Sequence, residues 1–388
     1  MEISQNKLTL YASKTLKRMK QRLFISLIII ASAILTLNPT EASAKPRKEK
    51  VKNIVLMIGD GMGVAHITHL MIENKYQPIN MQRATGGGMI TTYSANNRVT
   101  DSAASATTYA TGYKTNNAML SVTPDGEPKT TILEKAEKAG YATGVVATSS
   151  ITHATPAAFY AHSKRRYDSD TIAVQLLNSG IDVAFGGGDR PFTKRKDGRN
   201  LFDEARKAGY NVVQNIDSLQ DVHSGNNFVI YPTGNNHLIS MKQGRGDYLP
   251  KATAKALEIL ANNSRKGFFV MVEGSQIDYG GHGNSESTVL TETRDFDNAV
   301  GVAMDFADRN PGTLIIILAD HETGGMSIVS NNEDFTESES GVDARFSTGG
   351  HSGEMVPLLT YGAGAQSIGG IYDNVEIYTI MCNLLGLE

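Results

Sequence analysis

Acidic and imidazole residues follow three separate apolar segments of this sequence, NIVLMIG, FFVMV and LIIILA. These residues are Asp60, Glu273, Asp278, His282, Asp320 and His321. Carboxylates that meet in one place repel each other unless cations lie between them. Zinc prefers imidazole nitrogen and carboxylate oxygen, whereas magnesium prefers oxygen ligands. If the fold brings the three segments together, their side chains predict a site that binds several metal ions.

The spacing of the candidate ligands fits this interpretation. Asp278 and His282 are four residues apart, so one helical turn or a tight glycine-rich turn could direct both at one ion. Asp320 and His321 are adjacent and would point to opposite faces of a strand, which places them in the loop after the strand. HETGG lacks the second histidine of the HExxH zinc motif. His351, flanked by glycines, is a further candidate ligand, although an isolated histidine in such a sequence is more often a surface or turn residue.

A serine and two arginines could complete a centre for phosphoryl or sulfuryl transfer. Ser102 lies near the start of TDSAASATTY, which predicts a helix capped by Thr100 or Asp101. The amides of a helix N-terminus suit an anion, and a metal ion could hold this serine as its alkoxide. An ordinary helix-start serine is the alternative. Arginine grips phosphate with two N–H groups, and Arg165 or Arg166 could do so.

The remaining histidines and the single cysteine are assigned structural roles. Surface or turn positions are expected for His66, His69, His162, His223 and His237. Cys382 lies in the apolar sequence IYTIMCNLLGL and is predicted to be a small core residue rather than a nucleophile.

The elements that must position the candidate site residues are strands and helices that alternate along the chain. Continuous runs of Val, Ile, Leu and Met between helical patterns are typical of strands covered on both faces of a mainly parallel sheet. Ligands bind beyond the carboxyl ends of such strands. The predicted fold is therefore α/β, with a mainly parallel central sheet sandwiched by helices. Helices are predicted at 66–73, 100–109, 130–139, 170–178, 201–208, 249–261 and 292–307, and further strands at 89–93, 141–149, 183–185 and 210–213.

Composition and the amino terminus limit the classes of function. The chain has 388 residues, 40% hydrophobic and 20% charged, and its net charge of -3 points to neither nucleic acid nor a charged membrane surface. Basic residues, the apolar stretch 23–37 and small residues at 42–44 predict a signal peptide at 1–44, cleaved after Ala44. The remaining domain would be 45–388, in the periplasm or secreted, without stable membrane insertion. An uncleaved anchor is the alternative, and Met19 is an alternative start.

Six motifs, in chain order, give the sequence a specific resemblance. They are DGMG, TDSAASAT, HATPAAFYAH, VEGSQIDYGGH, ADHETGG and GGHSGE. Over most of residues 52–388 the sequence resembles the alkaline phosphatases. The resemblance implies a hydrolase of phosphate monoesters with a broad substrate range and an alkaline pH optimum, in which a serine between two zinc ions, with magnesium nearby, is transiently phosphorylated. It also implies a homodimer, and the polar stretch 331–350 would be a reduced form of the interface insertion of larger members.

The resemblance implies a role for each candidate residue. The first zinc would be bound by Asp278, His282 and His351. The second zinc would be bound by Asp60, Asp320 and His321 and would hold the oxygen of Ser102. Magnesium would be bound by Asp60, Thr155 and Glu273. Phosphate would be bound by Arg166, with Arg165 as the alternative, and Asp101 would orient that arginine.

Two positions depart from the best-known bacterial members of that family. Position 153 is His in place of Asp, and position 279 is Tyr in place of Lys. Because imidazole suits zinc better than magnesium, His153 is expected to tilt the third metal site toward zinc or to loosen it. Tyr279 removes a cation from near the phosphate. A changed pH optimum and metal response are expected, without a preferred direction.

Other activities use this kind of metal centre. Sulfatases carry a C/S-x-P-x-R motif, which the sequence lacks, and phosphodiesterases of the same superfamily tend to use Thr where this chain has Ser102. A signal peptide argues against a glycolytic phosphoglycerate mutase. A secreted metal- or phosphate-binding protein without turnover is the rival of a different class, but it would lack the nucleophile.

Overall fold

A ten-stranded sheet forms the centre of the protein in the computed structural model, which describes residues 50–388 except 215–218, 220–221, 223, 235 and 332–340. The strands are β1 (Asn53–Gly59), β2 (Gly86–Thr91), β3 (Ala142–Ser150), β4 (Val183–Gly187), β5 (Asn211–Val213), β6 (Asn227–Ile230), β7 (Phe268–Gly274), β8 (Thr313–Leu318), β9 (Glu322–Thr323), β10 (Met326–Ser330), β11 (Val342–Phe346), β12 (His351–Ser352), β13 (Val356–Gly362) and β14 (Gly369–Asp373).

Helices connect most of these strands. They are α1 (Val64–Glu73), α2 (Ser102–Thr111), α3 (Ile132–Lys138), α4 (Ala154–Ala157), α5 (Ser169–Asn178), α6 (Arg190–Thr193), α7 (Leu201–Lys207), α8 (Tyr248–Asn263), α9 (Ile277–His282), α10 (Glu286–Arg309) and α11 (Asn374–Leu385). Short 3-10 turns lie at Asn80–Arg83, Met241–Gln243 and Ala365–Ser367.

The sheet is mainly parallel, as the sequence predicts. Its strand order is β14-β2-β13-β8-β1-β7-β3-β4-β6-β5, and β13 alone among the paired strands runs antiparallel to both neighbours. Two small antiparallel pairs, β10 with β11 and β9 with β12, lie outside it. Helices α8 and α10 pack on each other and on β7, and α3 and α4 also pack on β7. The predicted α/β fold, with helices covering a central sheet, is confirmed.

The three apolar segments form adjacent central strands. Every residue of β7 and β8 is buried, as is all of β1 after Asn53. Ile58 of β1 lies level with Glu273 of β7 and with Leu318 of β8. All three strands run in the same direction, so their carboxyl ends finish at one edge of the sheet. The sheet therefore delivers the residues that follow these strands to a common place.

Strand β2 differs from its prediction because the glycine-rich segment 86–88 is part of the strand. The prediction placed a strand at 89–93 and left the glycines outside it. A Cβ at Gly88 would lie 1.8 Å from the carbonyl oxygen of Gly370, and one at Gly86 would lie 2.2 Å from that of Ala365. These glycines allow the chain after β13 to approach β2 closely.

Helix α10 begins earlier than predicted. The prediction of 292–307 left out its first turns, whose Ser and Thr residues are weak helix formers. Tertiary packing overrides this preference, because Val289 is fully buried and meets the backbone of Gly280 closely. The other predicted helices and strands agree with the structure to within two residues at their ends. Strands β6 and β9 to β14 and helices α4, α6 and α11 were not predicted.

Several sequence expectations concern other parts of the chain. The proposed signal peptide at 1–44 and His223 lie outside the described residues. Of the stretch 331–350, residues 342–346 form β11, and 332–340 also lie outside. Cys382 is buried in α11, as predicted. Within the described ranges, no helix combines the length and the apolar character that a membrane crossing requires.

Candidate active site

Carboxylates from three adjacent strands meet at one edge of the sheet. Asp60 follows β1, Glu273 is the penultimate residue of β7, and Asp320 lies two residues after β8. All three are fully buried. Asp320 and His321 lie in the connection between β8 and β9, as their adjacency predicted. The structure therefore brings together the acidic residues that the sequence singled out.

The candidate nucleophile lies against this cluster. Helix α2 begins at Ser102, and the carboxylate of Asp101 caps it by accepting a hydrogen bond of 2.9 Å from the amide of Ala104. Asp101, and not Thr100, is therefore the cap, since its carboxylate accepts a hydrogen bond from an otherwise free amide of the first turn. The hydroxyl oxygen of Ser102 lies 3.3 Å from Nε2 of His321. A helix N-terminus thus presents a buried hydroxyl to the acidic and imidazole side chains.

Asp278, His282 and His351 form the first group of possible metal ligands, with ligand atoms all within 4.8 Å of one another. The single turn of α9 aligns Asp278 Oδ1 with His282 Nε2 at 3.3 Å. Strand β12 pairs with β9 and places His351 Nε2 3.2 Å from His282 Nε2. Nδ1 of each histidine donates 2.8 Å to a carbonyl, that of Gly349 or Thr100. Each Nε2 is therefore left for a metal ion or a proton.

Asp60, Asp320 and His321 form a second group. Nε2 of His321 lies 3.5 Å from Asp60 Oδ1 and 3.4 Å from Asp320 Oδ2. A carboxylate oxygen of Asp278 also lies within 4.8 Å of ligand atoms of Asp60 and His321, so Asp278 lies between the first and second groups rather than in the first alone. Two ions bound at these groups would both lie beside the same buried carboxylates.

Thr323 joins the two groups and was not singled out in the sequence. Its hydroxyl lies 2.6 Å from Asp278 Oδ1 and 3.1 Å from His321 Nδ1. The carboxylate of Asp278 can only accept, so the single hydroxyl proton of Thr323 is donated to it. The Thr323 oxygen must therefore accept from His321, and Nδ1 of His321 carries the proton. That tautomer leaves Nε2 of His321 free to bind a metal ion. Its place within the ADHETGG motif was the only signal in the sequence.

The third group consists of Asp60, His153 and Glu273. Glu273 Oε2 accepts hydrogen bonds from Ser275 (2.6 Å) and Ser149 (3.2 Å), which leaves Oε1 for another partner. These two serines were also missed by the sequence analysis.

Buried polar atoms without partners mark the same positions. Among the described residues they include both carboxylate oxygens of Asp60, Oε1 of Glu273, Oδ2 of Asp320, Oγ1 of Thr155 and Nδ1 of His153. A buried polar group without a hydrogen bond carries a desolvation cost of about 1–3 kcal/mol, more if charged. Oxygen and imidazole nitrogen are the atoms that zinc and magnesium bind. The residues present therefore fit a centre for divalent cations.

The pKa values of the buried side chains also indicate that the centre binds cations. Burial, reinforced by neighbouring carboxylates, raises the pKa of Asp60 well above its ordinary value, that of Glu273 to about 7 and that of Asp320 to about 6. Burial lowers the pKa of His321 and His351 to about 4, which keeps both imidazoles neutral and able to bind metal. Cations would offset the repulsion among the carboxylates.

Asp278 differs from the other acids. Burial would raise its pKa, but the hydrogen bond from His282 and the electrostatic influence of the neighbouring imidazoles lower it below its ordinary value. The same bond to Asp278 raises the pKa of His282 to about 9. A proton therefore competes with a metal ion for His282 Nε2.

Arg166 extends toward this cluster, whereas Arg165 does not. Nη1 of Arg166 donates 2.9 Å to Asp101 Oδ2, and Nη2 lies 3.2 Å from His153 Nε2. The Arg165 side chain is 73% exposed and pairs with Asp168. Of the two alternatives, Arg166 is the one that reaches the candidate metal ligands.

The other histidines are not all at the surface, contrary to expectation. His66 and His69 are fully buried, where Gly63 donates to the first and Glu286 bonds the second. These two sit on the inner face of α1, so the expected surface position is wrong for them. His162 is partly buried and bonds to Glu134, and His237 is partly buried beside Tyr279.

The family model for alkaline phosphatase matches residues 51–345. The chain belongs to the alkaline phosphatase family. It is 36% identical to alkaline phosphatase 4 of Bacillus subtilis over 79% of this chain and 68% of that relative. It is 30% identical to the alkaline phosphatase of Escherichia coli over 87% and 86% of the two chains.

Solved alkaline phosphatase structures agree with this membership. The enzyme from the Antarctic bacterium TAB5 is 37% identical and superimposes with a TM-score of 0.82, covering 88% of this chain and all of the other. A histidine-to-glutamate variant of that enzyme, with magnesium bound in its M3 site, gives a TM-score of 0.81. The present alkaline phosphatase is therefore a metal-dependent enzyme that hydrolyses phosphate monoesters.

Proposed function

We propose that this enzyme acts through a phosphoserine formed on Ser102 at a site for two zinc ions and one magnesium ion. The observation that carries the proposal is the position of the Ser102 hydroxyl, buried and 3.3 Å from His321 Nε2 within the carboxylate cluster. A serine at a helix N-terminus is unremarkable alone, but few serines lie among several buried carboxylates and imidazoles. The alkaline pH optimum and the broad substrate range belong to this proposal.

The three groups of side chains divide the metal ions. We infer that Asp278, His282 and His351 bind the first zinc, and that Asp60, Asp320 and His321 bind the second beside Ser102. Asp60, Thr155 and Glu273, with His153 close by, would bind the third ion. Bound there, the cations would neutralise the phosphoryl group and stabilise the entering and leaving oxygens.

The chain's own residues supply the nucleophile and the grip on phosphate. Ser102 attacks phosphorus, so that a bond forms from its Oγ, the ester oxygen–phosphorus bond breaks and the alcohol leaves. Water then cleaves the phosphoserine, which restores the hydroxyl and releases inorganic phosphate. Arg166, held by Asp101, binds two phosphate oxygens in both steps. Because these contacts address only the phosphate, the alcohol is free to vary.

His153 cannot serve Arg166 and a metal ion together. A guanidinium only donates, so Nε2 of His153 uses its lone pair for Arg166 and the ring proton lies on Nδ1. A neutral imidazole has no second lone pair for a metal ion. Binding of the third ion by His153 would therefore require that Arg166 release it, and otherwise the third ion depends on the three oxygen ligands alone.

Assembly and location are further parts of the proposal. We infer a homodimer on the strength of family membership, with a domain at 45–388 exported to the periplasm or the medium. The support for export is the basic and apolar sequence before Ala44.

The test is hydrolysis of a chromogenic phosphate monoester at alkaline pH, with and without a chelator, by the parent and by Ser102→Ala. We expect loss of activity with chelator, recovery with zinc and magnesium, and a loss of at least about a thousandfold for the variant. A diester and a sulfate ester serve as controls. Faster turnover of either control, or an active Ser102→Ala protein, would overturn the proposal.

A further inference from the structure

His237 lies between the side chains of His153 and Tyr279. Its ring centroid is 5.0 Å from that of His153, at an interplanar angle of 87°, and 4.9 Å from that of Tyr279. His237 belongs to none of the three ligand groups. It comes from the segment between β6 and α8, far in sequence from both partners, and no sequence pattern marked it.

The backbone holds His237 in place. The amide of Leu238 donates 3.2 Å to the carbonyl of Thr148, and Gln276 Nε2 donates 2.8 Å to the carbonyl of Leu238. These contacts tie the segment to β3 and to the connection before α9. The imidazole is therefore fixed relative to the site.

The direction of each hydrogen bond at His237 follows from its partners. The amide of Ser150 lies 3.1 Å from Nδ1 of His237 and can only donate. Nδ1 is thus without a proton, and the ring proton is on Nε2. Nε2 lies 2.8 Å from the phenolic oxygen of Tyr279, so the histidine donates and the tyrosine accepts. The phenol keeps its own proton for a different acceptor.

The geometry of the phenol limits the direction of its O–H bond. A phenolic O–H prefers the plane of its ring, and the donor His237 takes one side of the oxygen. The imidazole that donates to Tyr279 also lies against His153, and Nε2 of His153 is 3.2 Å from Nη2 of Arg166. The phenol therefore belongs to the same group of side chains as Arg166, where a bound phosphate would offer an acceptor for its proton.

We propose that His237 is a positioning residue that turns the Tyr279 hydroxyl toward the phosphate, so that Tyr279 donates a hydrogen bond to a phosphate oxygen. The inference rests on the proposed function, because it needs phosphate to lie at Arg166 and the metal groups. Tyr279, a neutral phenol oriented by an imidazole from another part of the chain, would thus contact the phosphoryl group that is transferred.

Two substitutions at position 237 separate positioning from packing. The amide of a glutamine reaches the place of Nε2, so His237→Gln can still donate to Tyr279. The shorter amide of an asparagine reaches only the place of Nδ1, so His237→Asn can accept from Ser150 but cannot reach the phenol. Tyr279→Phe removes the donor itself while keeping the ring.

The experiment measures the dissociation constant of inorganic phosphate for the metal-loaded protein by calorimetry, together with the melting temperature. We expect Tyr279→Phe and His237→Asn each to weaken phosphate binding roughly tenfold, and His237→Gln to stay within about twofold of the parent. In the Tyr279→Phe background, His237→Asn should change phosphate binding no further, since the pair acts as one unit.

Equal phosphate affinity in the parent and in His237→Asn would overturn the inference, as would additive effects in the double variant. If His237→Gln and His237→Asn lose affinity equally and melt equally early, His237 is a packing residue and the inference fails. A parent protein that neither binds phosphate nor hydrolyses a monoester would instead remove the proposed function, which separates the two failures.

Discussion

Replacing Glu273 with glutamine should have opposite effects on the metal-free and the metal-loaded protein. Glu273 is fully buried, and Ser275 and Ser149 donate to one of its oxygens while the other has no partner. Burial, with the charge of Asp320, raises its pKa to about 7. Glutamine keeps the shape and an acceptor for the two serines but carries no charge.

The magnitude follows from the linkage between protons and folding. The pKa of Glu273 is higher in the folded state than the value of about 4.3 in an unfolded chain, so the folded state retains a proton that the unfolded state releases. Its contribution to stability is complete below about pH 4 and is lost as pH rises through 7. At about 1.4 kcal/mol for each pH unit, ionised Glu273 costs the metal-free protein roughly 3–4 kcal/mol at pH 8.

The assay is thermal unfolding of the parent and Glu273→Gln proteins at pH 8 and pH 4.5, with excess chelator or with zinc and magnesium. At about 2.1 cal/mol/K for each residue, a domain of this size should melt about 4–5 °C higher in the metal-free variant at pH 8. The difference should nearly vanish at pH 4.5. With metals at pH 8 the order should reverse, because an amide is a weaker ligand than a carboxylate.

The lowered pKa values of His321 and His351 affect stability in the opposite sense over the same pH range. Because both histidines are present in the parent and in the variant, their contribution cancels when the two proteins are compared. A metal-free Glu273→Gln protein that melts at or below the parent temperature at pH 8 would refute the reasoning. So would a difference that does not depend on pH.

Three further sets of variants test other parts of the site. Asp101→Asn can keep the helix cap through its carbonyl oxygen, but its amide nitrogen then replaces Oδ2 and accepts from neither Arg166 nor the amide of Ala118, so the inhibition constant of phosphate should rise tenfold or more. Asp101→Ala should in addition lose the cap, which costs about 1 kcal/mol of stability in denaturant unfolding. Unchanged inhibition would contradict this. Thr323→Val removes the hydroxyl that joins the two groups proposed to bind zinc, so zinc affinity in chelator competition should fall roughly 10–100-fold, whereas Thr323→Ser should keep it. Equal zinc affinities in the parent and Thr323→Val would disprove that role. His153→Asp combined with Tyr279→Lys should shift the third site toward magnesium, measured as magnesium activation, and an unchanged magnesium response would count against the assignment.

The sequence was sufficient for the central strands and for the residues they deliver. Buried strands are marked by continuous apolar runs, and parallel strands end at one edge, so the convergence of Asp60, Glu273 and Asp320 followed from local patterns alone. The helix cap, predicted at Thr100 or Asp101, and the turn that aligns Asp278 with His282 were also local features; the structure places the cap at Asp101 and the turn in helix α9.

Residues that act through contacts across the fold could not be predicted in this way. Thr323, Ser275 and His237 have meaning only through partners that tertiary packing supplies, and their residue types are common in loops. The glycines of β2 misled the prediction for the same reason, since their role is to admit the backbone of Gly370. Burial of His66 likewise depends on what covers α1 rather than on its own sequence.

The most direct test of the central claim is mass spectrometry of protein quenched in acid during turnover of a phosphate monoester. We expect a single phosphate on the peptide that contains Ser102, present in the protein loaded with zinc and magnesium and absent after chelation. Phosphate release at an undiminished rate with no phosphate on Ser102, or with the phosphate on another residue, would contradict it.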